Sequence, residues 1–431
     1  MRGLVVTLNE EEKLRIKGPA KLKVNRGSLY LLGRVLSEGR EATVAKGRII
    51  CTKAIKSCEI KVLIGEGGGV EKPGEGEETI DEWSSKLPEA LVLKPVDIVI
   101  LGDTDTGKST AVVFLANLAL SKGFKVAVID GDVGQNDLSP PSSLGLAFVK
   151  DYISSLRELR VEKIHFVGSI TPSGYESEVI YGLIKLSSYA IEKGVQALII
   201  NTDGWVRGSH ALKFKLNLIR ALNPKVVVGL QRGKELEGLL RALEAYGWPK
   251  VIRLNTPPTA PKRDHKERKE LRGLTYTKYF TNCRKLTVDL NKVPILNFPI
   301  FRGEPIQPEE LGLLKDTVRA HYCERMGGIT LIVVDTRNGD LLKGCKMPNL
   351  IVLRRGDERG IIAGLLGEGF ETIGLGIIEE VDYQRKAVKL ITPVRGEVKG
   401  IIIGRVKVLF KEEGGNVRVV EDLQTQLFTK P

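Results

Sequence analysis

The sequence lacks the features of several protein classes. It has only five cysteines among 431 residues and no CxxC pair, which argues against both a disulfide framework and a zinc site. No apolar run approaches the roughly 20 residues that a membrane span needs. The N-terminal segment has neither the apolar stretch nor the cleavage site of a signal peptide. We therefore expect a cytoplasmic protein, or a nuclear one in a eukaryote, that is not secreted and has no membrane partner.

The composition is that of a globular protein with a basic excess. Hydrophobic residues make up 42% and charged residues 28% of the chain, and the formal net charge is +13. Positive charge of this size favours a polyanionic partner such as a nucleic acid, because each phosphate contact releases counterions. Solubility is the alternative explanation. The length predicts two or three domains.

Three regions differ in pattern along the chain. Residues 1–92 contain short alternating strand-like runs, at 21–35, 48–54 and 59–64, and we interpret Gly65–Gly76 as a surface loop in which nothing can pack. Residues 286–431 are again β-rich, with an Asn-Gly hairpin signal at 338–339 and strands over 386–394 and 401–410. A barrel or a sandwich is expected there. We therefore predict an N-terminal and a C-terminal β-rich domain.

The middle region, residues 93–285, alternates between buried strands and helices. The strand-like runs lie at 96–102, 125–132, 163–169, 197–203 and 225–230. The helical stretches between them include Ser109–Gly123, Tyr175–Gly194 and Ala211–Leu222. This pattern predicts an α/β P-loop NTPase core with a doubly wound, mostly parallel sheet, in which ligands bind at the carboxyl ends of the strands.

The first strand of this region leads into the sequence GDTDTGKST, which fits the phosphate-binding pattern G-x-x-x-x-G-K-[ST]. Its glycines let the backbone N–H groups face the phosphates, and the following helix presents its positive end. Lys108 is expected to reach the β- and γ-phosphates, and the hydroxyl of Ser109 to bind Mg²⁺. The alternative is a glycine-rich turn without a ligand. The predicted nucleotide-binding residues are Gly102, Asp103, Thr104, Asp105, Thr106, Gly107, Lys108, Ser109 and Thr110.

A pair of carboxylates follows the next strand in the sequence DGDVGQ. Acidic residues at this position beside a P-loop usually bind Mg²⁺ or its waters. We expect Asp130 to face the metal and Asp132 to face the acceptor and take its proton. The alternative is a polar turn that caps the strand. No N-K-x-D sequence follows a later strand, which weakens the case for a GTPase.

With these motifs in place, the chain resembles the polynucleotide 5′-hydroxyl kinases of RNA 3′-end cleavage and pre-rRNA processing complexes. The T-x-G-W "clasp" of that family is matched by Thr202-Asp203-Gly204-Trp205, and its R-x-x-x-R "lid" by Arg268–Arg272. The resemblance covers the middle region well and the β-rich flanks loosely. Arg263 and Lys262 lie just upstream of the lid and offer an alternative register for its basic residues.

The resemblance implies ATP and Mg²⁺ as cofactors and the 5′-hydroxyl end of a nucleic acid, with RNA favoured over DNA, as acceptor. It implies that Arg268 and Arg272, with Lys108, stabilise charge on the transferred phosphoryl group. Gln135, Thr202 and Trp205 are then expected to bind substrate, with Trp205 stacking on a terminal base. The alternatives are a solvated, salt-bridged helix for the lid and a buried structural role for Trp205.

Two other functions compete with a kinase. One is a catalytically silent, ATP-binding scaffold, whose β-rich flanks would dock protein partners. The other is a P-loop switch ATPase, which would leave the clasp and lid motifs unexplained.

Overall fold

The computed structural model describes residues 2–298, 300–307, 310, 320–335 and 349–424. The strands before the P-loop helix are β1 (Arg2–Leu8), β2 (Lys13–Lys17), β3 (Ala20–Leu31), β4 (Arg34–Ser37), β5 (Glu41–Val44), β6 (Ile49–Ile64), β7 (Gly69–Glu71) and β8 (Val96–Gly102). The strands up to residue 255 are β9 (Val126–Gly131), β10 (Ser143–Val149), β11 (Lys163–Phe166), β12 (Ala197–Thr202), β13 (Val226–Gln231) and β14 (Lys250–Asn255). The remaining strands are β15 (Arg284–Asp289), β16 (Glu304–Pro305), β17 (Ala320–Met326), β18 (Ile329–Val334), β19 (Leu350–Arg354), β20 (Ile361–Leu366), β21 (Thr372–Asp382), β22 (Ala387–Thr392), β23 (Gly400–Glu413) and β24 (Asn416–Gln424). The helices are α1 (Ile80–Lys86), α2 (Lys108–Ser121), α3 (Glu176–Glu192), α4 (Ser209–Leu222), α5 (Glu237–Tyr246) and α6 (His265–Tyr279).

The first seven strands form one antiparallel sheet in which the long strands β3 and β6 are paired. Alternate residues at the start of β3 are buried, as expected for a strand with one face on a core. The prediction that nothing in the 65–76 segment can pack is wrong in part, because Gly69–Glu71 pairs with β2. Strand pairing uses backbone groups, and Val70 of this segment also packs against the core of the N-terminal sheet.

The central sheet has the strand order β11-β10-β9-β12-β8-β13-β14. The neighbours from β9 to β14 along this order are parallel, and β10 is antiparallel to both β9 and β11. Strands occur in all five of the predicted runs, whereas β10 and β14 were not predicted. The chain between β9 and β10 contains no helix, and without a crossover helix the returning strand is antiparallel.

Helices cover both faces of this sheet. Ile98 and Ile100 of β8 belong to the core that contains α2 and the N-terminal sheet. Val99 and Leu101 belong to a second core, with residues of α3, α4 and α5. Because successive strand residues point to opposite faces, the apolar run of β8 reflects burial on both sides.

The C-terminal strands form a six-stranded sheet, β15-β22-β21-β20-β23-β24, and a four-stranded sheet, β16-β17-β18-β19. Residues of both sheets share one core, which is the packing of a sandwich. The other face of the larger sheet packs on α6 and on Phe166 of the central sheet. The predicted hairpin at 338–339 lies outside the described residues. Within the described part of the chain, no helix has the length and apolar character of a membrane span.

Candidate phosphoryl-transfer site

The P-loop connects β8 to α2 in a tight curl. Gly107, at the start of α2, has φ = 95°, a left-handed conformation that favours glycine. The Thr106 hydroxyl and the Lys108 Nζ both donate to the backbone carbonyl of Asp103, at 2.8 Å each. A Cβ added to Gly102 would lie 2.5 Å from Thr106 Oγ1. These contacts close the loop around its own backbone and leave the start of α2 facing a cavity.

The cavity lies where several parts of the chain meet. Residues of the P-loop, of the segment after β9, of the N-terminal sheet and of α6 line it. Of the predicted site residues, it brings together Thr104, Asp105, Gly107, Lys108, Ser109, Thr110, Asp132, Gln135, Arg268 and Arg272. Polar groups therefore converge at the carboxyl ends of β8 and β9, the expected position of a ligand in such a sheet.

Asp132 lies on the floor of this cavity. Its Oδ1 accepts hydrogen bonds from the backbone N–H groups of Gly134 (3.0 Å) and Gln135 (2.9 Å). Its Oδ2 accepts no hydrogen bond from the described residues. One oxygen therefore fixes the carboxylate, and the other is free to accept a hydrogen bond or a proton from a ligand in the cavity.

Asp130 is fully buried and is not among the described residues that line the cavity. Its Oδ1 accepts from Asn201 Nδ2 (2.8 Å) and from the N–H of Asp132 (3.2 Å), and its Oδ2 accepts from the N–H of Asp137 (2.8 Å). Both oxygens are thus engaged by donors. In this structure Asp130 supports the segment that carries Asp132 rather than facing the cavity directly.

Burial shifts the pKa values of these groups toward their neutral forms. Burial, with the charges of Asp137 and Asp132, raises the pKa of Asp130 to about 7, against the N–H donors that favour its ionised form. Burial also raises the pKa of Asp132, although the nearby Lys108 opposes this. The pKa of Lys108 is lowered by burial, with Asp132 opposing the change. A cavity that shifts several pKa values in this way is a functional-site candidate.

The clasp lies beside the P-loop. Thr202 and Trp205 of the clasp were predicted to contact substrate, but their side chains have other partners. The Thr202 hydroxyl donates to the backbone carbonyl of Ile100 at 2.8 Å and is fully buried. The Trp205 ring stacks on Phe214 of α4, with the ring centroids 5.9 Å apart. Neither residue is among the described residues that line the cavity. One face of the half-buried Trp205 ring is therefore occupied by Phe214.

The lid arginines lie on α6, and they have different partners. The guanidinium of Arg268 contacts the Asp105 carboxylate of the P-loop at 2.7 Å. The guanidinium of Arg272 forms a buried ion pair with Asp422 of β24, also at 2.7 Å. Gln135 Nε2 donates to the backbone carbonyl of Arg268 at 3.2 Å. The helix therefore touches the P-loop at one end of the motif and is held by the C-terminal sheet at the other, so Arg272 does not contact the P-loop here.

Both P-loop carboxylates have arginine partners. Arg207, which follows the clasp, contacts Asp103 at 2.8 Å, and Arg263 donates its backbone N–H to Asp105 at 3.0 Å in addition to the Arg268 contact. Burial raises the pKa of Asp103, but the hydrogen bonds from Arg207 and the N–H of Thr104 outweigh it, so the pKa is below its usual value. Neutralisation of these carboxylates makes an acidic P-loop compatible with bound phosphates.

Several lining residues were not predicted from the sequence. Trp83 of α1 lies against Gly107, and its indole N–H donates to the carbonyl of Asn255 at 3.0 Å. Arg48 and Ile50 of the N-terminal region line the same cavity. No local pattern could show that a β-rich flank supplies a wall of the P-loop cavity.

A P-loop, a fixed carboxylate at the end of the adjacent strand, and an arginine-bearing helix above them define a P-loop protein with the arrangement of a phosphotransferase. Residues 102–282 match the family model of the mRNA cleavage and polyadenylation factor CLP1 P-loop. The chain is 32% identical over 335 residues to a polyribonucleotide 5′-hydroxyl-kinase of Pyrococcus abyssi, covering 76% of this chain and 91% of that protein. It is also 32% identical over 324 residues to one of Methanocaldococcus jannaschii, covering 73% and 88%. The chain belongs to this kinase family, and the resemblance stated from its motifs is confirmed.

A likeness to a solved structure extends over most of the fold. A chain in the structure of the wild-type Clp1p–Pcf11p (454–563) complex aligns with 94% of this chain and 97% of its own length, with a TM-score of 0.61 and 14% identity. The N-terminal and C-terminal β-rich parts are therefore covered by the likeness together with the P-loop core.

Proposed function

We propose that this protein is an ATP-dependent polynucleotide 5′-hydroxyl kinase that transfers the γ-phosphate of ATP to the 5′-OH end of RNA. One observation carries the proposal: Lys108, Ser109, Asp132 and Arg268 line a single cavity. The relatives at 32% identity are named polyribonucleotide 5′-hydroxyl-kinases, which favours RNA as the acceptor. The net charge of +13 suits a polyanionic substrate.

The P-loop is suited to hold the triphosphate. Its backbone N–H groups at the start of α2 face the cavity, and Lys108 is placed to exchange the Asp103 carbonyl for phosphate oxygens. Among the described residues, no cluster of three His, Cys, Asp or Glu side chains could by itself hold a metal. Mg²⁺ typically binds through one or two protein oxygens together with phosphates and waters.

Ser109 is the direct magnesium ligand that we propose, because it lines the cavity at the start of α2. The oxygens of Asp130 already accept three hydrogen bonds. Asp130 would therefore act on the waters of the metal only indirectly, by supporting the segment that carries Asp132. When bound, the ion would neutralise charge on the β- and γ-phosphates.

Asp132 supplies the base. Its free Oδ2 accepts the proton of the 5′-hydroxyl as the bond from O5′ to the γ-phosphorus forms and the bond to the bridging β–γ oxygen breaks. The products are ADP and a 5′-phosphorylated strand. Positioning and charge stabilisation supply most of the catalysis of phosphoryl transfer.

The lid is proposed to complete the site around the γ-phosphate. Arg268 would leave Asp105 for the transferred phosphoryl group, and Gln135 would order the acceptor beside α6. The roles of Arg272, Thr202 and Trp205 stay predictions, because in this structure their side chains contact Asp422, the β8 backbone and Phe214.

For the domains we propose boundaries at 1–92, 93–285 and 286–431, with the two β-rich flanks as candidate docking surfaces for protein partners.

The test is transfer from γ-labelled ATP and Mg²⁺ to short 5′-OH RNA and DNA strands, with 5′-phosphorylated strands and a Lys108→Ala variant as controls. We expect label only on 5′-OH strands, more on RNA than on DNA, and none with the variant. Bound ATP without labelling of any strand would favour the scaffold instead. Hydrolysis that is independent of an acceptor would favour the switch ATPase.

A further inference from the structure

Lys215, on α4, is a buried charge that the proposed mechanism does not use. Its side chain has no exposed surface. It lies on the apolar side of α4, between Ala211, Phe214, Leu218 and Ile219, which are all buried. Lysine is almost never fully buried unless it is paired, so its partner indicates what it does.

The partner of Lys215 is the clasp. Lys215 Nζ contacts the Asp203 carboxylate Oδ2 at 2.7 Å and the Asp203 backbone carbonyl at 3.1 Å. The other carboxylate oxygen of Asp203 accepts the N–H of Trp205 at 2.9 Å. One ammonium group thus holds both the side chain and the backbone of the first residue of the turn 203–205.

That turn rests directly on the P-loop. A Cβ added to Gly204 would lie 2.5 Å from Thr104 Cγ2, 2.7 Å from its backbone N and 2.9 Å from its Cα. Only glycine permits this approach without displacement of backbone, which is a close contact of the kind that requires a missing side chain. The position of the turn and the position of Thr104 are therefore coupled.

A second contact from α4 acts on the same turn. The ring of Phe214 stacks on Trp205, and Lys215 Nζ lies 5.0 Å from the centroid of the Phe214 ring. Two adjacent residues of one helix thus hold the two ends of the turn, and Gly204 between them touches the P-loop. The two hydrogen bonds of Lys215 are buried, and the contacts of Gly204 and Trp205 are partly buried.

We propose that Lys215 is a positioning residue of the kinase site: through Asp203 it holds the Gly204 turn against Thr104 and so sets the P-loop backbone that binds the triphosphate. The inference rests on the proposed function for its effect on transfer, but its effect on nucleotide affinity does not depend on an acceptor. A small displacement of groups that position phosphates costs rate out of proportion to its size.

The experiment compares four variants with the parent. Lys215→Met removes the charge, and Asp203→Asn combined with Lys215→Met removes both charges so that none is left buried alone. Gly204→Ala breaks the contact with Thr104 and leaves the ion pair in place. Leu218→Ala, at a fully buried site on the same helix, is the matched control for lost stability. Thermal unfolding, the Kd for ATP, and kcat and KM for 5′-OH RNA are measured for each.

We expect Lys215→Met and Gly204→Ala each to raise the Kd for ATP and to lower kcat by about tenfold or more, whereas Leu218→Ala lowers Tm and keeps the parent Kd and kcat. The double variant should regain Tm and keep the low kcat. If it regains kcat as well, or if Gly204→Ala keeps the parent Kd and kcat, the positioning role is overturned. If the parent itself transfers no phosphate, the proposed kinase function fails, and the Kd values alone decide the positioning role.

Discussion

The substitution Asp132→Asn tests the chemical step most directly. The Oδ1 of Asp132 accepts two backbone N–H groups, from Gly134 and Gln135. An asparagine can keep these bonds only with its amide oxygen in the same place, so its NH₂ group takes the position of the free Oδ2. That group donates and cannot accept a proton. The variant therefore keeps the shape of the site and loses the base.

The expected loss follows from the share of the barrier that a general base supplies. Removal of such a base lowers the rate by about 10²- to 10⁴-fold, which corresponds to about 3 to 5 kcal/mol of activation free energy. The Kd for ATP should change little, because Asp132 makes no hydrogen bond to the P-loop in the described structure. Single-turnover transfer from labelled ATP measures the first quantity, and calorimetric titration of the variant with ATP measures the second.

The pH dependence gives an independent check. Burial raises the pKa of Asp132 above its ordinary value of 3.8, although Lys108 opposes the shift. A base must be ionised to act, so activity should fall as the pH falls through this raised pKa, at a higher pH than for an exposed aspartate. The residual activity of Asp132→Asn should lack this fall.

A matched control and two contrary outcomes complete the test. Asp97→Asn alters a half-buried carboxylate at the opposite end of β8 and should leave transfer unchanged. Transfer by Asp132→Asn within a few-fold of the parent would refute the base assignment. A large loss of ATP affinity would instead place Asp132 in nucleotide binding.

Three further perturbations test other parts of the site. Arg268→Ala should lower kcat by about 10³-fold or more, as for other arginines that contact a transferring phosphoryl group. Tm should change little because the side chain is partly exposed. Single-turnover kinetics would measure the loss, and an unchanged kcat would exclude the lid role. Trp83→Ala should weaken ATP binding and destabilise the fold by about 3 to 5 kcal/mol, because the buried indole packs beside the P-loop. Nucleotide titration measures the first effect and denaturant unfolding the second. An ATP affinity equal to that of the parent would exclude Trp83 from the nucleotide site. Arg15→Met should destabilise the protein by about 1 to 3 kcal/mol, because a buried arginine contacts three glutamates, of which Glu78 is also buried; urea unfolding that matches the parent would contradict this.

Local sequence patterns were enough to predict much of the P-loop core, that is, the phosphate-binding loop and strands of the central sheet. The P-loop requires particular residues at fixed spacing on a strand–loop–helix unit, so Gly107, Lys108 and Ser109 could be placed from sequence alone. The five predicted strands of the central sheet were visible because strands buried on both faces are continuous apolar runs. The order of four motifs along the chain was enough to predict the family to which the comparisons assign it.

The tertiary structure decided which side chains face the cavity. Asp130 and Asp132 are two residues apart, yet one is buried among N–H donors and the other lies on the cavity floor. Arg272 belongs to the predicted lid motif, but its partner Asp422 lies 150 residues further along the chain. Such pairings depend on contacts between separate sheets, and no local periodicity encodes them.

Lys215 illustrates what the local sequence pattern can predict and what only the tertiary structure can show. Its position on the apolar side of a helix was already readable in the 3.6-residue pattern of α4. Its partner was not, because Asp203 lies outside α4, in the turn that follows β12, and no helical periodicity relates the two residues. The sequence by itself determined which chemistry the chain carries, since motifs act over a few bonded neighbours. The tertiary structure determined how that chemistry is held in place, since burial and ion pairing arise only where distant segments pack together.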